Sequence, residues 1–234
     1  MILLKKISQH NWWAILYFNF KMLPFQQAIK LPFDFYYKIR FENLCGKIRI
    51  NSSNIRRGMI KIGGRGSEMF SRNQTILDVK GEIEFRGNTE IGHGALLRVE
   101  KNGKIIFGNE VRIGALTKVF CEESITFNDE IDFSWECQIF DSNFHYTRNT
   151  KTNTIDKKTS PITIGSLNWF GNRVTIMKGT QTPTNIIVAS NSLCNKNYTS
   201  LPEYTVLGGI PVKEVSFNVQ RIFENIENID NLGI

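Results

Sequence analysis

The stretch Ile105-Ile106-Phe107-Gly108-Asn109-Glu110-Val111-Arg112-Ile113 is answered position for position by Ile125-Thr126-Phe127-Asn128-Asp129-Glu130-Ile131-Asp132-Phe133, twenty residues later. An earlier copy, Ile83-Glu84-Phe85-Arg86-Gly87-Asn88-Thr89-Glu90-Ile91, joins the series after a two-residue slip. In each copy a short extended run meets a polar Gly/Asn/Asp corner, and an aliphatic residue follows. A second series is stricter. Ile164, Phe170, Ile176, Thr182, Val188 and Cys194 stand six residues apart, with small residues after several of them (Gly165, Gly171, Ala189). Ile125, Ile131 and Cys137 keep the same interval, as do Ile91 and Leu97.

A period of six suits neither an amphipathic helix at 3.6 nor a half-buried strand at 2. It suits a coil with three flat walls, each a short strand that sends one apolar side chain into a shared interior. Three walls make eighteen residues, and additions at the corners make twenty. One such coil cannot bury its interior alone, whereas stacked coils can. A β-sandwich with regularly spaced strands would not need the twenty-residue register.

The 234 residues are 41% hydrophobic and 22% charged, enough for one or two domains with a sizeable core. That composition excludes a disordered chain, a collagen and a disulfide scaffold. The apolar run from Trp12 to Phe18 is seven residues, against ~20 for a membrane-spanning helix. The N-terminus lacks a small-residue cleavage site, so a cytoplasmic protein is expected. Cys45, Cys121, Cys137 and Cys194 form no Cys-x-x-Cys pair and have no histidine at zinc-ligand spacing. They read as reduced, mostly buried thiols, and no metal site is expected. The net charge of +7 favours an anionic partner. The cations are scattered in doublets such as Lys5-Lys6 and Arg56-Arg57, without a nucleic-acid-binding motif. A phosphate-rich small molecule fits better than a duplex, and no nucleic-acid partner is expected.

Here the residues carry a family resemblance. The segment from Pro161-Ile162-Thr163-Ile164-Gly165 through Trp169-Phe170-Gly171-Asn172-Arg173-Val174-Thr175-Ile176-Met177-Lys178-Gly179 resembles the signature stretch of the hexapeptide-repeat acyltransferases. Gly208-Gly209-Ile210-Pro211-Val212-Lys213 resembles the way those proteins leave their repeats. The resemblance covers roughly residues 81–214 and is strongest to the sugar O-acetyltransferase branch that serves polysaccharide biosynthesis. Asp141-Ser142-Asn143-Phe144-His145 matches the acidic, histidine-ended run of that branch, with Asn143 in place of its second acid.

The resemblance implies an all-β-dominated left-handed parallel β-helix. The left hand comes from the family alone, since parallel crossovers in general favour the right. Residues 1–46 then form an irregular aromatic cap, residues 47–214 the β-helix with a projecting loop at 146–160, and residues 215–234 a short C-terminal helix. The helix is read from Ile222, Phe223, Ile226 and Ile229, which approximate one face. The cap, rich in Trp, Phe and Tyr among basic residues, reads either as a cover for the first coil or as a contact for a membrane surface.

Acyl transfer from a thioester to a hydroxyl needs a base. Histidine suits that task because its ordinary pKa is ~6.5. The chain has three histidines. His10 lies in the aromatic head, His93 reads as a solvated corner residue, and His145 ends an extended stretch before the long loop. Alternation along a strand would put Asp141, Asn143 and His145 on one side. The expected roles are His145 as general base, Asp141 orienting the imidazole or touching the sugar, and Asn143 bonding the acceptor. The resemblance implies acetyl-coenzyme A as acyl donor, contacted by Trp169, Asn172, Ser190, Asn195, Lys196 and Lys213, the lysines meeting its phosphates. It also implies a homotrimer with a sugar, nucleotide-sugar or glycan acceptor. Two other readings stand beside the O-acetyltransferase: an N-acetyltransferase on an amino-sugar nucleotide, and a non-catalytic β-helix scaffold or binding protein.

Overall fold

The structure is a computed structural model and describes residues 9–64 and 70–222. It is a left-handed parallel β-helix of three walls. Each coil lays one strand on each wall, so the walls are sheets whose neighbours are successive coils rather than successive strands. One coil, for example, runs Thr89–Ile91, Leu96–Val99 and Lys104–Phe107; the next runs Val111–Ile113, Lys118–Cys121 and Ser124–Phe127.

The register is the one read from the sequence. Ile105 pairs with Ile125 and Phe107 with Phe127, at the offset of twenty. Ile83 pairs with Ile105 and Phe85 with Phe107, across the two-residue slip. The six-residue series points inward: Ile164, Phe170, Ile176, Val188 and Cys194 are fully buried. Thr182 keeps the rhythm because its hydroxyl accepts bonds from the Gly165 N–H (2.9 Å) and the Asn168 amide (2.7 Å). The interior is strung with phenylalanine rings. Phe85, Phe107 and Phe127 stack at 5.1 Å between neighbours, and Phe133 stacks on Phe170 at 4.2 Å. Such pairs add roughly 0.5–1.5 kcal/mol each beyond their buried area.

Corners turn tightly. Gly94, Leu116, Glu136, Arg173 and Asn191 occupy one corner in successive coils, all with φ between 55° and 70°. The left-handed region favours glycine, and only Gly94 meets that preference. Asn191 tolerates the same conformation, and Leu116, Glu136 and Arg173 adopt it at the equivalent place in their coils. Polar corner residues bond upward: the Asn109 N–H donates to Asp129 Oδ1 at 2.7 Å, and the Asn88 N–H to Asn109 Oδ1 at 3.0 Å.

Several boundaries differ from the sequence reading. The first coil starts at Phe33–Phe35, which pairs with Ile60–Ile62, inside the segment taken as the cap. The cap itself is not irregular, because Trp12–Met22 is a helix, with the Asn11 side chain accepting from the Ala14 N–H at its start. Its Phe18 packs edge-on against Phe33 and Phe35 at 4.9 and 5.1 Å. Its buried Asn19 exchanges bonds with both backbone groups of Phe33, satisfying part of an open sheet edge. At the other end Val212–Ser216 folds back antiparallel on Val206–Gly209 and covers the last edge. The expected C-terminal helix therefore does not begin at 215, and the part of it from residue 223 onward lies outside the described residues. His93, read as solvated, is 3% exposed. Burial, helped by the nearby Arg72 charge, holds its pKa below the ordinary value.

Candidate active site

The wall made by Gln138–Phe140 ends at Asp141, and the chain then leaves the coil until Ile162 resumes it. The excursion is a hairpin. Its neck is closed by an antiparallel bridge between Ser142 and Thr159. The Asn143 N–H donates to Lys158 O, and the Ser160 N–H to Asp141 O, both at 3.0 Å. Further out, Thr147–Arg148 pairs antiparallel with Ile155–Asp156. His145 sits between neck and outer pair, exposed to solvent.

Two acids on the column fix the neck. The Asp141 carboxylate is fully buried and accepts the backbone N–H groups of Glu122, Glu123 and Ser124, each at 2.8 Å. The Cys121 thiol reaches the same carboxylate at 3.4 Å. Glu122 accepts from the Ser142 hydroxyl at 2.7 Å and pairs with the Lys158 ammonium, so it holds both strands of the neck. Burial pushes the Glu122 carboxyl up, but its bonds from Lys158 and Ser142 outweigh that and hold it below the ordinary carboxylate range. Phe144, immediately before the histidine, has φ +62°. Its ring lies 4.7 Å from Phe120 and 5.6 Å from Phe140, centroid to centroid, which pins that unusual backbone to the wall.

The expectation for Asp141 is corrected by this geometry. Position 141 follows Cys121 in the inward column, since Phe120 pairs with Phe140. Its carboxylate therefore turns inside and caps a turn rather than meeting the imidazole. The chain also leaves strand geometry at Ser142, so alternation does not carry Asn143 and His145 to the same side as Asp141. Asn143 is half-buried at the neck, held by its backbone. The sequence reading missed Glu122, Ser142, Phe144 and Lys158. One signal was available: an acid at 141 where Val99 and Cys121 fill the equivalent buried position.

The residues expected to hold the donor fall on later coils. Lys196 and Lys213 line one groove of about 200 Å³ with Asn197, Tyr198, Leu207 and Val212. The Lys196 ammonium also lies 5.5 Å from the Tyr198 ring centroid. Asn195 bonds that same tyrosine: its N–H donates to the Tyr198 hydroxyl at 3.2 Å. Asn172 and Ser190 come together on neighbouring coils, the serine hydroxyl donating to Asn172 Oδ1 at 2.6 Å. Trp169 is half-buried; its indole N–H donates to Ser134 Oγ at 3.3 Å, and the Arg221 guanidinium lies 5.1 Å from its ring centroid.

Three of the four thiols are unsuited to nucleophilic catalysis. Burial pushes the Cys137 and Cys194 thiols up to about 12. Burial and the adjacent Asp141 charge push Cys121 up as well. Cys45 alone is exposed. Among the described residues, no group of three or more His, Cys, Asp or Glu could hold a metal ion.

No family model matches the chain. WbbJ of Escherichia coli (strain K12), provisionally named a lipopolysaccharide biosynthesis O-acetyl transferase, is 29% identical over 184 residues, which is 73% of this chain and 87% of WbbJ. A second curated relative, from Mycobacterium tuberculosis and provisionally named an acetyltransferase, is 25% identical over 183 residues, 77% of this chain and 57% of that one. The crystal structure of the polySia-specific acetyltransferase NeuO shares the fold, with a TM-score of 0.56 at 17% identity over 86% of this chain and 82% of NeuO. The chain is thus similar in sequence to two curated acetyltransferases and similar in fold to NeuO.

Proposed function

We propose that this protein transfers an acetyl group from acetyl-coenzyme A to a hydroxyl of a sugar, in a glycan or polysaccharide precursor. The observation that carries the reading is the placement of His145. It is solvent-facing on a hairpin whose neck is locked to the column, where the chain leaves the coil between Gln138–Phe140 and Ile162–Ile164. The names of the curated relatives support acetyl transfer and polysaccharide biosynthesis.

The chemistry is direct attack. The His145 imidazole takes the proton from the acceptor hydroxyl as its oxygen bonds to the thioester carbonyl carbon. The tetrahedral intermediate then collapses, the C–S bond breaks, and the imidazolium returns the proton to the departing thiolate. General-base help of this kind is typically worth ~10²–10⁴-fold. Asp141 acts as a positioning residue, holding the turn 122–124 on which the neck rests. Lys196 and Lys213, sharing one groove, suit the phosphates of the donor. Asn172, Ser190, Asn195 and Trp169 lie along the same later coils. The raised pKa values of the buried thiols support transfer without a covalent acyl-cysteine. The working assembly in this reading is a homotrimer in the cytoplasm.

The test is coenzyme A release with acetyl-coenzyme A and a panel of acceptors. Release with hydroxyl sugars is expected. Release only with amino-sugar nucleotides would make the protein an N-acetyltransferase, and silence across a broad panel would favour a binding role.

A further inference from the structure

The N-terminal helix does two things with its two faces. Ala14, Ile15, Phe18 and Asn19 are buried and close the first coil. On the other side, Trp13, Leu16, Tyr17 and Phe20 follow the i, i+3, i+4, i+7 pattern of a single helical face. These four are 65%, 50%, 38% and 49% exposed. The patch continues beyond Pro24: Phe25 is 71% exposed with its ring 6.3 Å from Phe20, and Ile29 is exposed as well. A contiguous surface of large aromatic and aliphatic side chains is not the ordinary outcome of folding and marks a contact.

Charge says what the contact is. Residues 1–33 hold four lysines (Lys5, Lys6, Lys21, Lys30) and not one Asp or Glu. Lys21 lies on the helix with its ammonium 5.4 Å from the Tyr17 ring centroid. Beside it opens a shallow groove of about 370 Å³ lined by Lys21, Lys47 and Arg49 together with Met22, Leu44 and Ile48, with Arg49 paired to Glu82 at 3.4 Å. The Arg57 guanidinium lies 5.2 Å from the Trp12 ring centroid on the same helix. A protein partner would be expected to meet paired charges of both signs. A face of Trp, Tyr, Phe and Leu bordered by cations matches the boundary layer of an anionic bilayer, where aromatic rings sit at headgroup depth and lysines meet lipid phosphates.

We propose that this helix face and its cationic border form a peripheral docking surface for an anionic lipid bilayer. Trp13, Tyr17, Phe20 and Phe25 enter the interface, and Lys21, Lys30 and Lys47 meet the headgroups. The helix keeps its packing on the first coil, so docking needs no unfolding of the cap. This surface lies at the N-terminal end of the column, on different coils from His145 and from the Lys196–Lys213 groove, and it does not depend on the proposed acyl transfer.

The experiment is co-sedimentation of the full chain with vesicles of phosphatidylcholine alone and of phosphatidylcholine with one quarter phosphatidylglycerol. Binding is expected to the anionic vesicles, to weaken as salt is raised, and to be at least tenfold weaker on neutral ones. Lys21→Glu and Lys30→Glu should each weaken it about fivefold or more, the factor for ~1 kcal/mol per cation near the surface. Trp13→Ser combined with Phe20→Ser should abolish it with the fold retained, because these side chains are 65% and 49% exposed and leave the buried face of the helix intact. The proposal is overturned if the wild type ignores anionic vesicles or if the charge variants bind as the wild type does. It is equally overturned if the Trp13/Phe20 variant keeps its vesicle binding but loses subunits by light scattering, which would assign the patch to a second copy of this chain.

Discussion

The Ser142 hydroxyl donates to the Glu122 carboxylate at 2.7 Å, tying the first residue of the hairpin to the coil before it. Glu122 holds Lys158 on the returning strand as well, so one carboxylate clamps both sides of the neck below His145. Replacing Glu122 with Gln should loosen the neck with little change in folding. Misplacing a catalytic group by about 1 Å can cost ~10²-fold, so we expect turnover to fall about 10-fold to 100-fold. Because the folded Glu122 carboxyl titrates below its unfolded value, its contribution is complete above the ordinary carboxylate pKa of ~4.3. It is lost as pH falls through the lowered folded value. Proteolytic nicking of residues 146–158 should therefore accelerate as pH drops below ~4.3, and in Glu122→Gln it should already be fast at neutral pH.

Asp141 should behave as a structural residue. Its removal as Asp141→Ala orphans three backbone N–H groups, each costing roughly 1–3 kcal/mol when buried without a partner. A loss of about 3 kcal/mol or more is expected in denaturant unfolding. Asp141→Asn keeps an acceptor oxygen and should lose less. Were Asp141 chiefly the partner of the imidazole, both variants would be as stable as the wild type.

The phenylalanine column makes a separate prediction about the coil. Phe107 is fully buried between the stacked rings of Phe85 and Phe127. Phe107→Ala should destabilise the protein by ~3–5 kcal/mol, the usual range for truncating a core aromatic. A cost below 1 kcal/mol would mean that the ring is not confined in the interior.

Thiol chemistry should separate one cysteine from three. At pH 8 a water-soluble disulfide reagent should modify Cys45 quickly in the folded protein and leave Cys121, Cys137 and Cys194 untouched until denaturant is added. Rapid reaction of more than one thiol in the native state would contradict the burial that raises their pKa values.

Much of the column is legible in the sequence, because an inward spoke every six residues leaves no freedom about which side chains are buried. Ile164, Phe170, Ile176, Val188 and Cys194 follow from spacing alone. The ends are harder, since a cap satisfies an edge rather than a repeat. Nothing in the period announces that Asn19 will bond Phe33 or that Val212–Ser216 will fold back. The site is only half legible. His145 stands out through its neighbours in the chain, but its support comes from Glu122, twenty-three residues away and one coil below. The strand rule that grouped Asp141 with His145 fails because the chain turns out of the wall at Ser142 and takes a left-handed backbone at Phe144. The inward direction of Asp141 follows instead from the column it occupies.

The most direct measurement is coenzyme A release by His145→Ala with an accepted hydroxyl sugar, beside the wild type at equal coenzyme A occupancy. Turnover should fall ~10²–10⁴-fold, with unchanged melting temperature and unchanged coenzyme A affinity. Turnover close to the wild type would contradict general-base catalysis by His145, and the base would have to be sought elsewhere on the column.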